Sequence, residues 1–159
     1  MAASKYLATY LNDHLAGATA GLELVRRAAS ENEGTPLGRF LSVIAEEIAE
    51  DRQALEELMD QLFVETDRKK VAAGWFIEKV GRLKPNAQLH GYSPLSPLVE
   101  LEALSLGIEG KRAMWRALRE IAEEHDLDAA RLDELAKRAR RQRDRVERQR
   151  VALVPSALR

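Results

Sequence analysis

The sequence predicts an all-α protein, and three observations carry that reading. β-Branched residues are sparse in every long stretch, and no run alternates apolar and polar residues as a half-buried strand would. Apolar residues instead recur at steps of three and four along four long stretches and one shorter one. Breakers fall only at wide intervals: Glu31-Asn32-Glu33-Gly34, Glu65-Thr66-Asp67, Pro85 to Pro97, and Glu124-His125-Asp126.

The first helix is expected from about Ser4 to Ser30, with the stripe Leu7, Leu11, His14, Ala18, Leu22, Val25 and Ala29. The second starts at Thr35-Pro36. Threonine caps, and proline suits the first helical position because its missing N–H has no partner there. Its stripe is Leu37, Leu41, Ile44, Ile48, Asp51, Leu55, Leu58 and Leu62. The third spans about Asp67 to Lys84, with Val71, Trp75, Phe76, Ile77, Val80 and Leu83 apolar. The fourth opens at Ser93-Pro94 or Ser96-Pro97, runs to about Glu124, and buries Leu98, Leu101, Leu104, Ile108, Trp115, Leu118 and Ile121. The fifth covers about Asp128 to Val154, with a thinner stripe of Leu132, Leu135, Ala139, Gln142, Val146, Gln149 and Leu153.

Short loops make helices one and two antiparallel, and likewise four and five. The third helix carries the chain back, which sets the fourth parallel to the second. The expected architecture is an antiparallel four-helix bundle with an additional helix in the crossover, formed as one domain over residues 1–159. The chain has no cysteine, which excludes disulfides, thiolate metal sites and a thiol nucleophile. No stretch approaches the roughly 20 apolar residues of a membrane span, and Met1 to Tyr6 lacks the apolar core of a signal peptide. A soluble cytoplasmic protein that does not engage a membrane is expected.

The text Leu135-Ala136-x-x-Ala139-x-x-Gln142-x-x-x-x-Glu147, with the length and helix order, resembles the ferritin-like superfamily of small bacterial bundles. Tyr10-Leu11-Asn12-Asp13-His14-Leu15-Ala16-Gly17 and Gly91-Tyr92-Ser93-Pro94-Leu95 resemble an uncharacterised actinobacterial-type family of such bundles. The resemblance covers nearly the whole chain and implies the ferritin-like fold. The dimetal site of that superfamily takes a Glu from each of two helices and a Glu-x-x-His from each of the other two. This chain has no Glu-x-x-His: Leu11, Ala87 and Ala122 stand three residues before His14, His90 and His125. The nearest substitutes are Glu47-x-x-Glu50 and Glu109-x-x-Arg112, and an arginine at a ligand position opposes a cation.

Polar residues on the inner faces form the candidate site. His14, Glu47 and Asp51 lie on helices one and two, and Glu102, Ser105, Glu109, Lys111 and Arg112 on helix four; Gln142 and Gln149 interrupt helix five. Buried charges need partners. One arrangement is an ion-pair layer, with Lys111 or Arg112 between Glu47, Asp51 and His14 where a metal would sit. A second gathers iron or manganese on His14, Glu47, Asp51 and Glu109, with the basic side chains turned outward, and a third leaves some of these residues solvated at the edge of the stripe.

Three further features complete the reading. The small residues Ala16 to Gly21, with Gly17-x-x-x-Gly21, suggest close approach by a backbone or by Trp75 or Trp115, or else a dimer face or ligand slot. Helix five is basic: residues 131–150 hold nine Lys/Arg against four Asp/Glu, whereas 46–67 hold nine Asp/Glu against one Lys/Arg. Arg138, Arg141, Arg145 and Arg148 make a basic surface for nucleic acid or an acidic partner, or pair with helix two; no aromatic residue is present there for base stacking. The stretch from Pro85 to Pro97 is a connection pinned by Leu89 and Tyr92, with His90 in no recognisable triad spacing. The expected role is a non-enzymatic bundle without a cofactor and with a degenerate dimetal site, acting by self-association as a homo-oligomer or by binding a protein partner. The alternatives are a carboxylate-rich metalloprotein handling iron or oxygen, and nucleic-acid binding through helix five.

Overall fold

A computed structural model describes residues 3–73 and 91–159, and all regular structure among them is helical. Helix α1 is Lys5–Glu31, α2 Pro36–Gln61, α3 Arg68–Ala73, α4 Leu95–Glu120 and α5 Ala129–Ala157. Most N-termini are closed by the short polar side chains that the first-turn N–H groups require. Ser4 accepts from the Leu7 N–H at 3.1 Å, Thr35 from Gly38 at 3.0 Å and Asp128 from Arg131 at 3.0 Å. The Asp67 carboxylate accepts from the N–H groups of Lys69 and Lys70 at the head of α3.

Some boundaries differ from expectation. Helix α4 stops at Glu120. The chain then turns until Asp126 adopts φ +53° and the Leu127 N–H reaches back to the Ala122 carbonyl at 2.8 Å, burying Leu127. That six-to-one bond is a Schellman-type closure of the extra turn that follows α4. Helix α5 runs through Pro155 to Ala157, because a proline in the last turn forfeits only one hydrogen bond. The expected third helix lies largely outside the described residues, as do Trp75, Leu89 and His90.

Side-chain contacts fix how the helices run. Between α1 and α2, Thr19 meets Arg52, and Asn12 meets the chain just past the end of α2. Between α4 and α5, Arg119 pairs with Asp133, Glu109 with Arg143 and Glu102 with Arg150. Between α2 and α5, Glu47 pairs with Arg145 and Glu57 with Arg131; between α1 and α4, Arg27 pairs with Glu100 and Asn32 bonds Tyr92. In each set one number rises as the other falls, so each pair is antiparallel. Helices α2 and α4 therefore run parallel, across one core that includes Leu11, Leu15, Ile44, Leu55, Leu101 and Trp115. Among the described residues, no helix is long and apolar enough to cross a membrane.

The glycines separate into two kinds. At Gly38 a Cβ would lie 2.1 Å from the Asn32 carbonyl oxygen, so the α1–α2 turn packs directly on the first turn of α2. At Gly17 and Gly21 a Cβ would meet nothing within 4 Å. Among the described residues nothing makes the close approach expected there, and Trp115 is buried in the shared core; Trp75 lies outside the described residues.

Candidate functional site

The centre of the site is Asp51, whose position on the apolar stripe of α2 turns a carboxylate into the core with only 2% of its surface exposed. Such a group is stable only if fully paired. Lys111, from α4, donates to Asp51 Oδ2 at 2.5 Å and to Gln142 Oε1 at 2.6 Å. Gln142, from α5 and fully buried, donates through Nε2 to Asp51 Oδ2 at 3.0 Å. Arg138 lies four residues before Gln142 and so shares its side of α5. Its Nε donates to Asp51 Oδ1 at 2.8 Å and its Nη2 to the same oxygen, while Nη1 reaches Glu50 at 3.0 Å. Each oxygen of Asp51 thus accepts two donors.

The electrostatics follow from this packing. Burial lowers the Lys111 ammonium from its ordinary value; Asp51 and Glu47 oppose the shift, and Arg138 adds to it. Burial also works against the Arg138 charge, but Asp51 and Glu50 outweigh it and raise that group. Glu47 stands at the margin, paired with Arg145 at 2.7 Å, and the Arg145 guanidinium lies 5.9 Å from the centre of the Phe40 ring.

The remaining candidates are distributed elsewhere. His14 packs edge-on against Tyr10, with ring centroids 4.6 Å apart, and bonds neither Asp51 nor Glu47. Burial holds its imidazole below the ordinary value, against the pull of Asp13. Glu109 is engaged by Arg112 at 2.9 Å and by Arg143 at 3.6 Å, and Glu102 by Arg150. Arg112 therefore turns to the α4–α5 seam, and of the two candidate cations it is Lys111 that reaches Asp51. The proposed ligands His14, Glu47, Asp51 and Glu109 do not form a set. No group of three or more His, Asp or Glu residues able to hold a metal occurs among the described residues. The reason is local: each of the three carboxylates already faces a cationic side chain.

The basic surface divides in the same way. Arg138 and Arg145 are drawn against the acids of α2, whereas Arg141 and Arg148 stay exposed. Asn12 is a structural residue that the periodicity does not mark. Buried on α1, it donates to the carbonyls of Ala8 and Glu65, both at 3.0 Å, and accepts from the Asp67 N–H at 2.6 Å. Tyr92 ties the residues just before α4 to the end of α1 and to α4: its hydroxyl accepts from Asn32 and donates to Glu100, each at 2.8 Å. Neither protein families, curated proteins nor solved structures give a match to this chain.

Proposed function

We propose that the chain is a ferritin-like antiparallel four-helix bundle, with an additional helix in its crossover, whose dimetal site has been replaced by an internal ion-pair network. In this reading it is a non-enzymatic bundle that acts by self-association or by binding a protein partner. One observation carries the proposal: Lys111 Nζ lies 2.5 Å from Asp51 in the interior, where a metal-binding bundle would place its cation. With two donors on each oxygen of Asp51, a divalent ion has to displace Arg138 to reach Oδ1, or Lys111 and Gln142 to reach Oδ2.

The basic character of α5 supports the same reading. Arg131, Arg138 and Arg145 pair with Glu57, Glu50, Asp51 and Glu47 of α2, so the charge run is used within the chain. Metal analysis of protein purified without a histidine tag, before and after anaerobic loading with iron or manganese, is the direct test. No stoichiometric metal is expected in either sample. Stoichiometric metal that disappears in Glu47→Ala would overturn the proposal in favour of a carboxylate-rich metalloprotein.

A further inference from the structure

Charge pairing between α2 and α5 leaves a remainder. Glu46 is one turn from Glu50 and shares its side of α2; Asp60 extends the same exposed strip. Arg141 and Arg148 each follow, by three residues, an arginine already turned toward α2. All four side chains are exposed, and none has an ion-pair partner among the described residues. Because α2 and α5 lie side by side and antiparallel, a mainly acidic strip, with Arg39 near its start, and a mainly basic strip, with the Glu134–Lys137 pair near its start, share one outer face. Val43, 47% exposed on α2, adds apolar surface.

We propose that this face docks a second copy of the chain, with each acidic α2 over the basic α5 of its partner. The inference rests on the self-association reading above. Symmetry selects the arrangement. A two-fold axis parallel to the helices exchanges the two strips without changing height along the bundle, so Glu46, whose neighbour Glu47 is level with Arg145, comes between Arg141 and Arg148 of the second copy, and does so twice across an isologous interface. An in-plane axis perpendicular to the helices sets acid over acid and base over base. The same geometry disfavours nucleic acid, since phosphates drawn to α5 would also meet the acidic strip roughly 10 Å away. Exposed ion pairs bind weakly and are screened, so the dimer is salt-sensitive.

Sedimentation velocity of the full chain tests this. At about 100 μM protein, dimer is expected at about 0.1 M salt, with association at least about tenfold weaker at about 1 M, where the Debye length falls from roughly 10 Å to roughly 3 Å. Glu46→Lys gives one reversed variant, and Arg141→Glu with Arg148→Glu the other. Each alone should be monomeric with unchanged helix content, and mixing the two should restore a heterodimer, because acid again faces base on both strips. A wild-type monomer at low salt would overturn the proposal, as would a dimer indifferent to salt and to charge reversal. That second result would keep self-association and move it to another face. Failure of the wider reading is seen separately, as stoichiometric metal.

Discussion

Lys111 Nζ and Asp51 Oδ2 stand 2.5 Å apart inside the protein, joining the two parallel helices α4 and α2 across the core. Gln142 bonds both, so a third helix holds the pair in place. The pair is better understood as a constraint on which helices meet, and at what level, than as a source of net stability. Desolvation of two charges consumes most of what their attraction returns.

That distinction is measurable. Asp51→Leu removes the anion that Lys111 bonds and should cost about 3–5 kcal/mol, the range for breaking one side of a buried pair. Replacing the group together, as Asp51→Leu, Lys111→Met and Gln142→Leu, should recover most of that loss, because no buried charge is stranded and Arg138 retains Glu50. Urea denaturation of both variants decides the matter. A triple variant as weak as the single one would mean that the network itself supplies the stability.

Lys111 also gives the protein an alkaline signature. Its folded value lies below the 10.5 of the free side chain, chiefly through burial. Between those two values the unfolded chain binds more protons at this site than the folded one. Stability therefore rises with pH across that window: the cost of burying the charge is full below the folded value and relieved above 10.5. The lysine contribution is isolated by subtracting the pH profile of Lys111→Met, which retains the other titrating groups. The difference should climb with pH over the window, and a flat or falling difference would show that Asp51 holds the ammonium charged.

Helical periodicity reveals this site unusually well, because a charged residue on an apolar stripe has few places to go. Asp51 and Gln142 interrupt the stripes of α2 and α5 and are distinguishable from sequence spacing alone, and Lys111 falls between Ile108 and Trp115. What spacing does not resolve is which of two adjacent cations turns inward. Lys111 and Arg112 are about 100° apart on the helix, and the outcome depends on Glu109 and Arg143 drawing Arg112 to the outer seam. His14 fails as a site member for a related reason. The buried side of α1 is centred on Leu11, Leu15, Leu22 and Val25, which leaves His14 at its edge beside Tyr10. The Thr35 cap is legible because it acts within three residues of itself, and Ser4 and Asp128, expected only as helix starts, cap in the same way.

Asn12 illustrates a contact that no local pattern announces, since its partners lie 53 and 55 residues away. It binds the segment between α2 and α3 by both ends of its amide. Asn12→Ala leaves the Glu65 carbonyl and the Asp67 N–H without that partner, and should cost about 2–3 kcal/mol. The loss should be local first: in hydrogen exchange, the Asp67 amide should lose protection before the core of α1 does. Unchanged exchange at Asp67 would show that the segment is held by other contacts.

Phe63 closes α2 in a conformation that suits glycine. Its φ is +56°, its side chain is 87% exposed, and the Val64 N–H bonds the Met59 carbonyl at 2.8 Å in a Schellman closure. A side chain at this left-handed position costs energy that glycine avoids, while glycine loses more chain entropy on folding. The steric gain is the larger, so Phe63→Gly should stabilise the protein by about 1 kcal/mol. Phe63→Val should destabilise it, because a β-branched residue tolerates positive φ poorly. Thermal melts of the three proteins should therefore rank glycine above phenylalanine above valine. A glycine variant that melts below the wild type would mean that the exposed ring makes a contact worth more than the strain, and would turn attention to that ring as a binding surface.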